Sequence, residues 1–282
     1  MQRDAICNAL AGAGRMELTE GIGDCHTERV FKQCEGCKKA SSFWNRCEHK
    51  FCPMCSSRLA RERRESVEWW CKQIRQPKHV VLTARNSDTI TKPHVLAFKA
   101  AFSRLRRRAF AKNWEGGFYS LEVTNEGRGW HLHLHALVNA RFIDAGKLAA
   151  EWANCIGQDI AIVKVIDARE KSYLQEVTKY AVKGTELAKW PGTDIAALFD
   201  AFDGVRTFGV FGSLFAKRTE FADWLKELHA KLPKCECGCE KFVVLTENEY
   251  DFACAAWEIA QKTRPPPVPR TPSQSPQQSF SL

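Results

Sequence analysis

An alternating row of histidines at residues 129–138, Gly-Trp-His-Leu-His-Leu-His-Ala-Leu-Val, constrains the fold more than any other stretch of the chain. In a β-strand, successive side chains point to opposite faces, so His131, His133 and His135 would share one face and leave the other apolar. Burying three imidazoles without partners costs roughly several kcal/mol. We therefore interpret the row as ligands of a divalent metal ion. The alternative is that these are core and surface histidines without a ligand.

A second strand is predicted directly before this row. Residues 117–124 have strand composition, residues 126–129 (Glu-Gly-Arg-Gly) form a turn, and the histidine strand follows. A hairpin closed by this turn places Glu122 opposite His133. Facing residues of antiparallel strands have Cβ atoms within ~5.5 Å, so Glu122 is a candidate oxygen ligand beside the imidazoles. A slip of one residue would turn Glu122 to the other face.

The pattern from residue 79 onward predicts an α+β fold. Strands are predicted at 79–84, 117–124, 130–138 and 159–166, and helices at about 93–112, 144–156 and 169–183. The first six elements follow the order of a ferredoxin-like split βαβ unit, which is an antiparallel sheet with helices on one face. In this arrangement the histidine strand is central.

Five cysteines lie close together near the start of the chain. Cys34 and Cys37 form one CxxC pair, Cys52 and Cys55 form another, and Cys47 lies between them. Two such pairs can offer four thiolates to a structural Zn²⁺. We predict Cys34, Cys37, Cys52 and Cys55 as the ligands, with Cys47 as the first substitute. His49 is a further candidate, and free buried cysteines are the alternative.

Three more cysteines, Cys235, Cys237 and Cys239, lie near the end of the chain. The CxCxC spacing is less diagnostic than CxxC, and half of a second metal site, with Cys254 as another candidate ligand, is one interpretation. Whether they bind metal stays open from the sequence.

The charge of the chain favours a polyanionic partner. Its 42 Lys and Arg outnumber its 33 Asp and Glu, which gives a formal net charge of +9 and a pI near 8.9. Nucleic acid is the natural candidate. Arginines on a predicted helix at 58–75 could follow phosphates or simply form a solvated face. Apolar stretches are too short to span a bilayer, so we expect no membrane partner, a cytoplasmic location, and thiols or metal thiolates instead of disulfides.

The predicted helix at 169–183 has polar residues along one stripe. Tyr173, Glu176, Tyr180 and Lys183 are separated by three, four and three residues, next to an apolar stripe. In an isolated helix they would be read as amphipathic tyrosines with a Glu–Lys ion pair. Near a histidine metal site, a phenol and a carboxylate are also the groups required to transfer a phosphodiester to a side chain.

The sequence predicts a linear order of segments. They are a weakly defined lead-in at 1–33, a zinc module with a basic helix at 34–76, a catalytic domain at 77–232, a cysteine-containing module at 233–261 and a disordered tail at 262–282.

These motifs resemble the HUH endonuclease superfamily, and within it the rolling-circle replication initiators of small plasmids. The resemblance covers roughly residues 34–217, including Val80–Asn86, Leu121–Thr124 with the histidine strand, Glu176–Lys183 and Gly204–Gly212. It implies that His133 and His135 bind a catalytic Mg²⁺ or Mn²⁺, with Glu122 or His131 completing the site. Leu132 departs from the proline that related initiators often have there.

The resemblance implies an activity and a set of partners. Tyr180 would be the nucleophile, Glu176 would activate the water that ends the cycle, and Lys183 would assist. The expected function is nicking of single-stranded or hairpin origin DNA, with a 5′-phosphotyrosyl intermediate and a free 3′-OH, alongside a host helicase and polymerase. A transposase or relaxase with the same chemistry is one alternative, and a non-catalytic zinc-dependent nucleic-acid-binding protein is another.

Overall fold

The computed structural model describes residues 2–125, 127–168, 187, 190–231 and 235–262. Its helices are α1 (Gln2–Gly12), α2 (Met16–Gly23), α3 (Pro53–Cys71), α4 (Lys92–Leu105), α5 (Ala145–Ile156), α6 (Gly192–Phe202), α7 (Ser213–Ala216), α8 (Arg218–Lys231) and α9 (Glu247–Lys262). Its strands are β1 (Arg29–Cys34), β2 (Ala40–Trp44), β3 (Pro77–Thr83), β4 (Gly116–Asn125), β5 (Trp130–Asn139), β6 (Val163–Asp167), β7 (Phe208–Gly212) and β8 (Phe242–Leu245).

Contacts divide the chain into two units that are not consecutive in sequence. Unit 1 contains residues 1–29 and 44–232, and unit 2 contains residues 30–43 and 233–282. This division differs from the linear one that the sequence suggested, because strands β1 and β8, which are far apart in the chain, pair with each other. Residues 1–33 also contain two helices, α1 and α2, where the sequence indicated a weakly defined lead-in.

Unit 1 is built on a five-stranded sheet with the order β6-β3-β5-β4-β7, in which every neighbouring pair is antiparallel. The predicted mixture of helices and antiparallel strands is thereby confirmed. The histidine strand β5 is the central strand, because β3 and β4 flank it.

One face of this sheet forms the main core of unit 1. Its fully buried side chains include Leu82, Leu121, Leu132 and Leu134. Helix α4 packs on this face, where Phe102 contacts the ring of Tyr119 at 5.3 Å between centroids. The even-numbered positions of β5 therefore supply the apolar side that the alternation predicted.

The opposite face carries the odd-numbered positions of β5. At one end of it Phe118 and Leu137 pack in a smaller apolar cluster with Val67 and Trp70 of helix α3. The histidines occupy the remainder of this face. The two sides of one hairpin thus serve different purposes, one for packing and one for polar groups.

Local signals explain where several of these elements begin and end. Helix α4 starts where the Thr91 hydroxyl accepts a hydrogen bond from the His94 N–H at 3.3 Å. Helix α5 starts in the same way at Asp144 and ends at Gly157, whose φ of +67° favours glycine. Helix α4 ends at Leu105, before the predicted boundary near residue 112, and α3 begins at Pro53, before residue 58.

Candidate functional site

The hairpin of β4 and β5 sets the geometry of the histidine site. Glu122 pairs with His133, Ser120 with His135 and Thr124 with His131, so the predicted register is confirmed. Strand β3 lies on the other side of β5 and pairs Thr83 with His133. The three histidines and Glu122 consequently share one face of the sheet.

Side-chain contacts bring the carboxylate to the imidazoles. The Oε2 atom of Glu122 lies 3.0 Å from Nε2 of His135, and the two side chains are only 18% and 12% exposed. The rings of His131 and His133 are 4.1 Å apart between centroids, and those of His133 and His135 are 6.2 Å apart. A largely buried carboxylate beside a row of imidazoles is a donor set suited to a divalent cation.

His133 is held in its neutral form. Burial lowers the pKa of His133 to about 4, with a smaller contribution in the same direction from neighbouring His131. Its Nε2 atom is buried and has no hydrogen-bonding partner in the part of the chain that the structure describes. At neutral pH this imidazole therefore keeps a lone pair that a metal ion could accept.

A fourth histidine joins the row from strand β3. Nε2 of His79 lies 3.3 Å from Nδ1 of His135, the rings stack at 5.5 Å between centroids, and His79 is only 3% exposed. The contact can orient the ring of His135 and fix its tautomer. His79 was not among the predicted site residues. The available signal was that His79 has an odd-numbered position in β3. Strand β3 pairs with β5 so that the odd positions of both strands share one face.

Tyr180, Glu176, Lys183 and Tyr173 lie in residues 169–186, outside the described residues.

The cysteines form two groups that differ from the predicted one. The predicted ligands are divided between these groups, with Cys34 and Cys37 in the group of unit 2 and Cys52 and Cys55 in the group of unit 1. The sulfur atoms that lie within 4.8 Å of one another belong to Cys25, Cys47, Cys52 and Cys55 in one group and to Cys34, Cys37, Cys235 and Cys237 in the other. Either group could hold a zinc ion.

The group in unit 1 is buried at the start of helix α3. Sγ of Cys55 lies 3.5 Å from Sγ of Cys25 and 3.9 Å from Sγ of Cys47. Sulfurs arranged tetrahedrally around zinc, at ~2.3 Å each, would be about 3.8 Å apart. His49, also considered from the sequence, instead stacks on Phe199 at 4.8 Å between ring centroids.

Electrostatics within this group favour a bound cation. Hydrogen bonding from the Cys47 thiol, with further hydrogen bonds from the backbone N–H groups of Cys55 and Met54, lowers the pKa of Cys52 to about 5 despite its burial. Burial raises the pKa of Cys25 to about 11. Four crowded sulfurs cannot all ionise without a compensating positive charge, and Zn²⁺ supplies that charge.

The group in unit 2 joins the two chain segments of that unit. Sγ of Cys34 lies 3.5 Å from Sγ of Cys237, and Sγ of Cys37 lies 3.3 Å from Sγ of Cys235. A backbone N–H of Cys37 lowers the pKa of Cys34. Cys239 is not a member of the group, and its Sγ lies 3.6 Å from the carbonyl oxygen of Lys241. The CxCxC segment thus contributes two of its three cysteines.

Among the described residues, the two cysteine groups have their ligand atoms within 4.8 Å of one another. The histidine row and its described neighbours do not form a group that meets this distance. Glu122 and the histidines are adjacent, but their donor atoms would have to turn toward a common point to bind one ion. Within the same residues, none of the helices is long and apolar enough to cross a bilayer.

An antiparallel sheet with imidazoles and a carboxylate on one face, in a basic chain with two cysteine groups that could hold zinc, is suited to a protein that binds nucleic acid. The family model described as "Replication protein" matches residues 39–232, which is more than half of the chain. The chain therefore belongs to this family of replication proteins, and the resemblance to rolling-circle plasmid replication initiators is confirmed. No curated protein and no solved structure matches the chain.

Proposed function

We propose that this replication initiator nicks single-stranded origin DNA through a covalent tyrosyl intermediate on Tyr180. The observation that carries the proposal is the shared face of Glu122, His133 and His135, where a carboxylate contacts His135 in a row of half-buried imidazoles. The family match supports a replication role, and the net charge of +9 suits a DNA substrate. The 3′-OH released by nicking would be extended by a host polymerase, with a host helicase separating the strands.

The strand order supports a ferredoxin-like HUH core. Numbered from β3, the four strands of the βαββαβ unit lie in the order fourth, first, third, second, and all neighbours are antiparallel. Strand β7 extends this sheet next to β4. In such a sheet the first and third strands are the inner ones, and the third is the strand that carries the histidines.

The donor set fits a catalytic divalent ion. His133 and His135 would bind it, Glu122 or His131 would complete the site, and His79 would hold the ring of His135 in place. Mg²⁺ or Mn²⁺ bound there would polarise the oxygens of the scissile phosphate and stabilise the charge that develops on them.

The proposed chemistry depends on the phenol group of Tyr180. A tyrosine has a pKa of about 10, so Tyr180 must lose its proton as it attacks, and Lys183 could stabilise the resulting phenolate. The phenolate oxygen of Tyr180 forms a bond to the phosphorus of the scissile phosphate. The bond between that phosphorus and the 3′ oxygen of the DNA breaks, and the 3′ oxygen gains a proton. The phosphodiester energy is retained in the tyrosyl ester, so rejoining requires no ATP.

The experiment that tests this function is direct. The full chain is incubated with a labelled single strand carrying the origin and with Mn²⁺, and the products are separated on a denaturing gel. We expect a labelled protein–DNA adduct and a shortened strand. Binding without any adduct would instead identify a non-catalytic zinc-dependent DNA-binding protein, the rival function.

Glu176 is expected to act after nicking. In the Glu176→Ala variant the first transfer should proceed normally, whereas release of the adduct by water should slow by about 100-fold or more, because a general base contributes ~10²–10⁴-fold. Adduct decay in a pulse–chase measures this step. Glu170→Ala, a neighbouring acid, is the matched control. Normal release by the Glu176 variant would remove this residue from the mechanism.

Either Glu122 or His131 could supply the remaining ligand of the proposed metal site. Because Glu122 already contacts His135, we expect Glu122→Gln to lower nicking by about 100-fold and to raise the Mn²⁺ concentration needed for half-maximal activity. His131→Gln should change both by much less. The reverse ranking of the two variants in a metal titration would assign the position to His131.

A further inference from the structure

The sheet of unit 2 has two unlike faces. Strand β1 lies between β2 and β8, and the ladder pairs Lys32 with Val244 and Phe31 with Leu245. Helix α9 covers the Phe31 side, where Tyr250 lies 4.7 Å from Phe31 between ring centroids. On the other side Val244 is 74% exposed and Phe43 is 41% exposed. One face of a small sheet is thus open among the described residues.

The open face has an ammonium group between two aromatic rings. Nζ of Lys32 lies 4.3 Å from the centroid of Phe242 and 5.2 Å from that of Phe43. Isolated exposed apolar residues are common on protein surfaces, but two phenylalanines held around one lysine form an ordered pattern. We refer to Lys32, Phe43, Phe242 and Val244 as the aromatic face.

Charge differs between the two sides of unit 2. The three strands contain no acidic residue, and their charged side chain on the aromatic face is Lys32, since Arg29 alternates to the Phe31 side. Helix α9, which covers the other side, has Glu247, Glu249, Asp251 and Glu258 against Lys262 alone. A polyanion would therefore be attracted to Lys32 on the aromatic face and repelled by the acidic helix on the other side.

We propose that the aromatic face binds single-stranded DNA without sequence preference, with bases stacked on Phe43 and Phe242 and a phosphate held by Lys32. Flat rings next to a cation are the features that bind unpaired bases and the backbone together. A duplex keeps its bases stacked internally and cannot use these rings. Such a surface would add a second DNA contact to the chain, and it does not depend on the tyrosyl chemistry proposed above.

The test measures binding of the full zinc-loaded chain to a short fluorescent oligo(dT) that lacks any origin sequence, without Mg²⁺ or Mn²⁺. Phe43→Ala and Phe242→Ala should each weaken binding by about tenfold, the effect of losing one stacked base. For Lys32→Gln, the slope of log K against log salt should become shallower by about 0.7, the value for one phosphate contact to a single strand.

Phe252→Ala is the matched control, because Phe252 is 78% exposed but lies on helix α9. Its affinity for oligo(dT) should not change. The proposal fails if the double variant Phe43→Ala/Phe242→Ala, with its zinc content intact, binds oligo(dT) as well as the unchanged chain. It also fails if the double variant changes the sedimentation coefficient but not DNA affinity, since the face would then be a contact between copies.

Discussion

Tyr180→Phe is expected to abolish the covalent adduct with origin DNA while leaving DNA affinity within about twofold. Phenylalanine keeps the ring but has no oxygen to bond to phosphorus, so the transfer has no acceptor. Removing a covalent nucleophile lowers turnover by about 10⁴-fold or more in enzymes where this has been dissected. The measurement is the fraction of labelled strand that migrates with the protein on a denaturing gel in the presence of Mn²⁺.

The chain offers few other phenols, which makes the test sharp. It has four tyrosines, and the ring of Tyr119 packs against Phe102 on the side of the sheet opposite Glu122. Burial also raises the pKa of Tyr119, which makes it a poorer nucleophile. Tyr173→Phe is the matched control within residues 169–186. An adduct that survives in Tyr180→Phe but disappears in Tyr173→Phe would move the nucleophile to Tyr173.

The histidine hairpin could be predicted from the sequence because its signals are local. A period of two and the length of one turn determine which side chains share a face, and these two facts were sufficient to place Glu122 opposite His133. His79 was missed because its relation to His135 depends on the register between β3 and β5, which are separated by a helix and another strand.

The cysteine groups could not be predicted because their members come from distant parts of the chain. Spacing identifies cysteines that are near in sequence, and it correctly paired Cys34 with Cys37 and Cys52 with Cys55. It gave no means of joining Cys25 to the second pair or Cys235 and Cys237 to the first. Those joins depend on the antiparallel pairing of β1 with β8 and on the packing around α3.

Few buried side chains support unit 2, and this predicts a strong dependence on zinc. In its described residues the buried hydrophobic side chains are Phe31, Cys34, Cys235 and Ala253. A sheet of three short strands and one helix cannot stabilise itself on so small a core. Structural zinc sites contribute apparent binding energies of about 10–16 kcal/mol in isolated zinc-finger peptides, which is enough to account for folding of such a unit.

Cys235→Ser should therefore remove one of two bound zinc ions and unfold unit 2 while unit 1 stays folded. The serine hydroxyl is a poor replacement for a thiolate, and the residual three ligands would leave a much weaker site. Zinc content per chain should fall from about two to about one. The backbone amides of β1, β8 and α9 should lose their protection from hydrogen exchange, whereas those of β3, β4 and β5 should keep it.

Cys239→Ser provides the matched control for this variant, because Cys239 lies in the same short segment but outside the cysteine group. It should retain both zinc ions and full protection of β8. Cys52→Ser should also lose one zinc ion. In this variant the backbone amides that lose protection from hydrogen exchange should be those near α3 in unit 1. If Cys235→Ser and Cys239→Ser lose zinc equally, the ligand assignment in unit 2 is incorrect. If neither loses zinc and unit 2 stays protected, that unit is stabilised by packing and does not require a metal.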